Sequence, residues 1–271
     1  MKAVLSPTVN STPNSYTGIA CPSPTPDYAR PALRKRGARA LTTIGMVVFP
    51  GFELLDLAGP LDVFARAPDV KALTIAENRD PVVPDLAPAI TPDATFDDAP
   101  PFEVLFIPGG HGIGASFAND KLLDFVATRA SKARFVTSVC TGALLLGVAG
   151  LIEGRQATTH WRYLDLLKLF GATPVSKRVV EDGNLITGAG VTAGMDFGFV
   201  LVARLRGADV AKRLQLGLEY DPDPPFRAGH PSVADKADVE NYVRDTTARY
   251  DERERLILDA VTRRARSSLS P

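Results

Sequence analysis

The sequence predicts an α/β protein with a mostly parallel sheet sandwiched by helices. Three observations carry that prediction. Short, continuous apolar runs, such as Thr43–Phe49 and Val104–Ile107, lack the alternation of a half-exposed strand. Such runs suit strands buried on both faces. They alternate with longer stretches of helical spacing, the order of a layered α/β domain. Turn residues close the strands: Pro50-Gly51, Pro108-Gly109-Gly110 and the small residues around Cys140.

Residues 1–41 precede the first strand. They hold Pro7, Pro13, Pro22, Pro24, Pro26 and Pro31 among Ser, Thr and Asn, without apolar periodicity. This composition predicts a disordered tail. Its end is basic, from Arg30 to Arg39. Mitochondrial or nuclear targeting fits that charge, and an unstructured extension fits it better. A secretory leader would need an apolar core, which is missing.

Thr43–Phe49 begins the ordered chain, and Leu54–Ala65 follows at helical spacing. Ala72–Ala76 reads as a strand, with weaker candidates at Val82-Val83 and Ile90. Val104–Ile107 is a strong strand, and Lys121–Lys132 a helix. Phe135–Val139 leads into Cys140, and Ala143–Val148 forms an apolar helix closed by Gly150. Ala157–Thr159 reads as a short strand, and Tyr163–Phe170 as an amphipathic helix stopped by Gly171. Asp182-Gly183 between Val179-Val180 and Leu185–Thr187 signals a hairpin. Helices are expected over Asp196–Leu205 and Ala208–Tyr220. Asp221-Pro222-Asp223-Pro224-Pro225 makes a rigid loop, and residues 235–266 form one long, charged helical stretch. The predicted organisation is a tail over 1–41, a catalytic domain over 42–230 and a helical extension over 231–271.

Composition narrows the function. Lys+Arg and Asp+Glu balance at 31 each, which argues against a dedicated nucleic-acid surface. No apolar run is long enough to span a bilayer. Two cysteines, with Cys21 in the predicted tail, argue against a structural disulfide and fit a reducing, cytoplasmic compartment. His111, His160 and His230 are dispersed without ligand spacing, so no metal site is expected.

Ser138-x-Cys140-x-Gly142 sits where a strand becomes a helix. It is the nucleophile-elbow pattern with sulfur in place of oxygen. A tight turn demands small neighbours, and a helix N-terminus would favour the thiolate. A lone cysteine is more commonly an inert core residue, but an inert one needs neither Ser138 nor Gly142. Asp56 lies among Leu54, Leu55, Leu57 and Ala58. A carboxyl in an apolar pocket has a raised pKa and suits a general acid. Glu53 and Asp62 are alternatives, and an exposed or capping role is the plainer account of Asp56. Gly110-x-Gly112-x-x-Ala115 weakly resembles a dinucleotide fingerprint, but the strand that follows ends without the expected acid. Gly109 and Gly110 are therefore expected as oxyanion-type N–H donors. His160 is a candidate base or a structural histidine. Thr141 could present its hydroxyl or amide near the sulfur, or simply open the helix.

Several segments together resemble the ThiJ/PfpI superfamily: residues 49–60, 107–110, 137–142, 157–161, 187–196 and 218–220. Within that superfamily the chain resembles the isonitrile hydratase branch. The resemblance covers roughly residues 42–230. It implies a class I glutamine amidotransferase-like (flavodoxin-like) fold, Cys140 as nucleophile, Asp56 as protonatable carboxylate and Thr141 beside the sulfur. It implies no cofactor, a small-molecule substrate and a homodimer. The activity implied is hydration of an isonitrile to an N-substituted formamide through a thioimidate. Glyoxalase or deglycase chemistry on the same cysteine is the rival, and a redox or ligand sensor is the non-enzymatic one. Thr141 replaces the histidine that follows the cysteine in protease-like members, which speaks against peptidase activity. Ala189 stands where relatives often have a third glycine. AraC-type regulators add two helix-turn-helix motifs to a similar domain, and the about forty residues after His230 are too few for them.

Overall fold

The computed structural model describes residues 40–267. The predicted tail, apart from its last two residues, lies outside the described residues. So does its basic segment.

Nine strands and eight α-helices are described. The strands are β1 (Thr42–Val47), β2 (Val70–Ala76), β3 (Ala94–Thr95), β4 (Val104–Ile107), β5 (Phe135–Val139), β6 (Gln156–Ala157), β7 (Thr173–Pro174), β8 (Val179–Asp182) and β9 (Leu185–Gly188). The helices are α1 (Leu54–Arg66), α2 (Ile113–Ser116), α3 (Asp120–Ala130), α4 (Gly142–Val148), α5 (Ala193–Arg206), α6 (Ala208–Gly217), α7 (Lys236–Asp245) and α8 (Thr247–Ser267), with a 3₁₀ helix over Trp161–Phe170.

Seven strands form one sheet in the order β3-β2-β1-β4-β5-β9-β8. Every pairing is parallel except β8 with β9, the hairpin that Asp182-Gly183 signals. Gly183 takes a φ of 58° in that turn, which glycine adopts without steric cost. The central strands are continuous apolar runs because both faces are covered. Val104, Leu105, Phe106 and Ile107 are all 0% exposed. On one side α1 packs on α5, and α5 on α6. On the other, α4 packs on α2, α3, α8 and the 3₁₀ helix.

Four local expectations are refined. Val82 and Ile90 meet only as an isolated antiparallel bridge. At 156–157 the strand is shorter than expected, because Thr158 and Thr159 bond across to Thr187 and Cys140 instead of pairing. The Tyr163–Phe170 helix has 3₁₀ geometry. Its buried residues are Tyr163, Leu166, Leu167 and Phe170, and i,i+3 pairs lie on one side of a three-residue turn as readily as of an α-turn. The stretch 235–266 is two helices, broken at Thr246. The Thr246 hydroxyl donates to the Tyr242 carbonyl at 2.7 Å and accepts from Arg162 Nε at 3.0 Å. Such back-bonding competes with the helical ladder.

Two loops at the carboxyl end of the sheet are joined directly. Gly112 N–H donates to Gly51 O at 2.8 Å, and Glu53 N–H to Gly109 O at 2.9 Å. A Cβ on Gly110 or Gly112 would strike the backbone of the 50–53 turn. These glycines therefore permit close loop packing, which sets the start of α1 against the end of β4.

Candidate active site

Cys140 follows β5 directly and takes a φ of 55°. Left-handed backbone at a non-glycine residue is costly and persists only where its surroundings hold it. Here they do. The Cys140 amide donates to Gly188 O at 3.1 Å and Ala189 O at 2.7 Å. Its carbonyl accepts from the Thr159 hydroxyl at 2.6 Å. A Cβ on Gly142 would run into the Ile107 carbonyl and lie 2.8 Å from that of Pro108. Ser138 is fully buried beneath the turn. Gly142 thus has a steric cause, and Ser138 occupies a fully enclosed position.

Asp56 comes from the first turn of α1 and is 0% exposed. Its Oδ2 accepts from the Gly109 amide at 2.8 Å, while Oδ1 has no hydrogen-bond partner of normal geometry. Burial pushes the carboxyl up to about 8; the Gly109 bond opposes this, Glu53 adds to it, and the Cys140 thiol lowers it slightly. Burial likewise pushes the Cys140 thiol well above its usual value, with the charge of Asp56 acting next in the same direction. The Thr141 amide and Arg253 pull the other way. The Thr141 amide at the start of α4 favours the thiolate, and desolvation outweighs it. Burial thus favours the protonated form of both groups.

Gly109 and Gly110 do not present free amides. Gly109 N–H is committed to Asp56, and Gly110 N–H donates to Thr141 Oγ1 at 3.1 Å. A Cβ on Gly109 would lie 2.5 Å from Thr141 N and 2.9 Å from Asp56 Oδ2. Both glycines thus orient Asp56 and Thr141, in place of the expected oxyanion role. His160 caps the 3₁₀ helix, its Nδ1 accepting from the Arg162 amide at 3.2 Å. Burial, with Arg253 and Arg162 nearby, lowers its pKa to about 4. A neutral imidazole of such low basicity is a weak general base. Its ring edge lies 3.1 Å from where a Gly190 Cβ would stand, on the wall of a cavity of about 610 Å³ that Thr159, Gly190 and Val191 also line. Of the alternative acids, Glu53 caps α1 and Asp62 is exposed beside Arg66.

Thr159, which bonds the Cys140 carbonyl, Thr187, which takes the Thr158 amide, and Arg253, whose charge bears on Cys140, lie around the candidate site and were passed over by sequence reasoning. The two threonines lie in the segments 157–161 and 187–196, where a small polar residue at a strand end is the signal. Arg253 carries none, being one of many charges on α8. Among the described residues, no cluster of three His, Cys, Asp or Glu side chains is arranged to hold a metal ion.

The DJ-1/PfpI family profile matches residues 42–204. The chain belongs to the DJ-1/PfpI family. It is 48% identical over 197 residues to isonitrile hydratase from Pseudomonas putida, covering 73% of this chain and 86% of that protein. A ThiJ/PfpI family protein from Pseudomonas syringae superposes with a TM-score of 0.80 at 42% identity, covering 87% of this chain and 98% of that one. A DJ-1 superfamily protein from Salmonella typhimurium gives 0.59 at 31% identity, over 67% of this chain and all of that one. The expected fold class is thereby shown: a mostly parallel sheet flanked by helices in the DJ-1/PfpI, class I glutamine amidotransferase-like manner.

Proposed function

We propose that this chain is an enzyme that hydrates an isonitrile to an N-substituted formamide. The kinship to an isonitrile hydratase supports that class of substrate. The observation that carries the reading is the pairing of a strained cysteine with a fully buried carboxyl, Asp56, whose Oδ2 is pinned by Gly109 and whose Oδ1 has no partner of normal geometry; its burial favours the protonated form. That is a proton donor fixed by one oxygen and able to exchange at the other.

The isonitrile carbon is electrophilic toward sulfur and basic once attacked. Sγ of Cys140 forms a bond to it as Asp56 delivers a proton to the same carbon. The thiol proton passes to the vacated carboxylate, so the thioimidate forms with no net charge. Asp56 gives its proton to the thioimidate nitrogen as water adds to the carbon, and the water's proton returns to the carboxylate. The C–S bond breaks, the sulfur regains its proton, and the formamide leaves. Every step is covalent or acid–base chemistry of these side chains and needs no cofactor. Thr141 steadies the sulfur through its amide and the Gly110 loop through its hydroxyl. A free catalytic thiol fits a reducing compartment. Among the described residues, no helix is long and apolar enough to cross a membrane.

The test is direct. Purified chain is incubated with an aryl isonitrile and, separately, with methylglyoxal, and the formamide and lactate are followed by proton NMR. Formamide from wild type but not from a Cys140→Ala variant is the expected result. Lactate without formamide transfers the same cysteine to glyoxalase chemistry. No product from either overturns the enzymatic reading.

A further inference from the structure

The cavity of about 610 Å³ beside His160 lies between two walls of different character. Its inner wall comes from residues 158–164 and 189–191. There Thr158 and Thr159 are buried, and Trp161, Leu164 and Val191 half-buried. Its outer wall comes from residues 176–178 and the irregular loop 224–233, whose lining side chains are exposed, Phe226 at 78%. The inner segments also hold the elbow. The Cys140 amide donates to Ala189 O at 2.7 Å, and Thr159 Oγ1 donates to the Cys140 carbonyl at 2.6 Å.

The charge around this cavity is one-sided. Lys177, Arg178, Arg227 and His230 line it, and among the described residues no aspartate or glutamate does. The whole chain balances 31 acidic against 31 basic residues, so the imbalance is local. Arg178 is already neutralised. It pairs with Asp196 and donates to Thr192 O at 3.0 Å, while Asp196 also accepts from the Tyr220 hydroxyl at 3.0 Å. Lys177 and Arg227 have no carboxylate partner among the described residues. Asp221 and Asp223, just before Pro224 in the chain, do not line the cavity. A volume of this size is that of a small-molecule site, in which a few polar groups on an apolar lining fix a ligand's orientation. A neutral ligand would leave the two cations unmatched. A bare anion would leave the surface of Trp161, Leu164 and Phe226 in water. We infer that the cavity is a binding site for a small organic carboxylate, with its apolar body against Trp161 and Leu164 and its charge at the rim that Lys177 and Arg227 form. The chemistry is the same whether that carboxylate belongs to the organic group of the substrate or to a separate small molecule.

Trp161 is the one tryptophan of the chain, so its emission reports from the cavity wall. It also borders a second cavity of about 310 Å³, which neither Lys177 nor Arg227 lines, so charge variants tell the two apart. The full chain is titrated with cyclohexanecarboxylate, with the neutral cyclohexanecarboxamide and with acetate, reading Trp161 fluorescence and calorimetry together. Cyclohexanecarboxylate should bind at least about tenfold more tightly than either comparison, a difference of about 1.4 kcal/mol. Lys177→Gln with Arg227→Gln should remove its preference over the amide. Both side chains are exposed, so the fold should survive, as a thermal melt checks. Equal affinity for the acid and the amide overturns the inference, and so does equal affinity for the acid and acetate. A folded double variant that keeps the preference, or no saturable binding of the carboxylate, overturns it as well. Should the double variant unfold, the three-ligand comparison on wild type decides. Inhibition of cyclohexyl isonitrile turnover then identifies the source. Competitive inhibition assigns the site to the substrate's organic group, and binding without competition assigns it to a separate ligand; both results support the site. That last arm alone rests on isonitrile hydration, and in a chain without such turnover the titrations still decide.

Discussion

The carboxyl edge of the sheet and the C-terminal helix pair contain charge in opposite ways. At the sheet edge, Asp56 is 0% exposed and Cys140 5%, and their neighbours are fixed to within an atom's width. Helix α7 buries no residue, and among its described side chains α8 turns only Arg253, Ile257 and Ala260 fully inward, leaving a polar surface with ion pairs such as Arg255–Asp259. The difference teaches where tolerance lies. At the sheet edge the backbone path itself encodes the site, so Gly109, Gly110, Gly112 and Gly142 each have a steric cause. In the helix pair the fully buried positions among the described side chains are confined to the inward seam of α8.

Replacing Cys140 should give the largest effect. Cys140→Ala is expected to reduce isonitrile turnover to background, with a melting temperature near wild type, because a single Cβ fits the turn as well as the thiol did. Initial rates and a thermal melt check both halves. Retained turnover would break the covalent reading.

Asp56→Asn comes next, with turnover expected to fall about 10²–10⁴-fold, the usual worth of a positioned acid–base group. The pH dependence has a definite sign. The native carboxyl titrates at about 8 and the unfolded one at 3.8, so between these values the folded state binds the extra proton. Stability therefore falls as pH rises through that window, by at most about 1.4 kcal/mol per unit, and levels off outside it. Turnover should decline above about pH 8 as the acid is lost. Urea midpoints across pH should show that slope in wild type and its absence in Asp56→Asn. A flat wild-type curve would place the proton elsewhere.

What sequence reasoning could see divides along the same line. The elbow was legible because a tight turn writes itself into adjacent positions: Ser138, Cys140 and Gly142 are neighbours in the chain. Asp56 was legible because its apolar flanks are also local. The roles of Gly109 and Gly110 were not, since which acceptor takes an amide depends on how two distant loops meet. The glycines allow that approach, and Asp56 and Thr141 then occupy both N–H groups. Arg253 was invisible for a stronger reason. Its burial depends on the break at Thr246, which lets α8 lie against α4 apart from α7. Nothing in a run of arginines and glutamates tells which one faces inward. Ile257, Leu258 and Val261 are near neighbours in sequence and alike in hydrophobicity, yet of the three only Ile257 is buried, while Leu258 is 49% and Val261 37% exposed.

Gly142→Ala sharpens the comparison at the level of packing. Its new methyl meets the backbone carbonyls of Ile107 and Pro108, neither of which can swing aside as a flexible side chain can. Overpacking of this kind costs about 1–3 kcal/mol. It should also lower turnover, because the end of β4 carries the glycine that holds Asp56. A chemical-denaturation curve at wild-type stability would show that the elbow yields more readily than its geometry implies.

The smallest effect on the subunit is expected from the outer face of α8. Leu258 and Val261 point away from the buried seam formed by Arg253, Ile257 and Ala260. Exposed substitutions away from special features change stability by within about 0.5 kcal/mol, so Leu258→Glu with Val261→Glu should leave the melting curve of a monomer almost untouched. The same pair is where an apolar self-contact would form, because two-fold assembly applies one patch to its own copy. We propose that the chain is a homodimer and that this face of α8 contributes to its interface. Sedimentation equilibrium at micromolar concentration should then give the mass of two chains for wild type and of one folded chain for the double variant. A wild-type mass of one chain refutes the dimer. A dimer that survives both glutamates moves the interface off α8, and an unfolded double variant would show that the outer face supports the core after all.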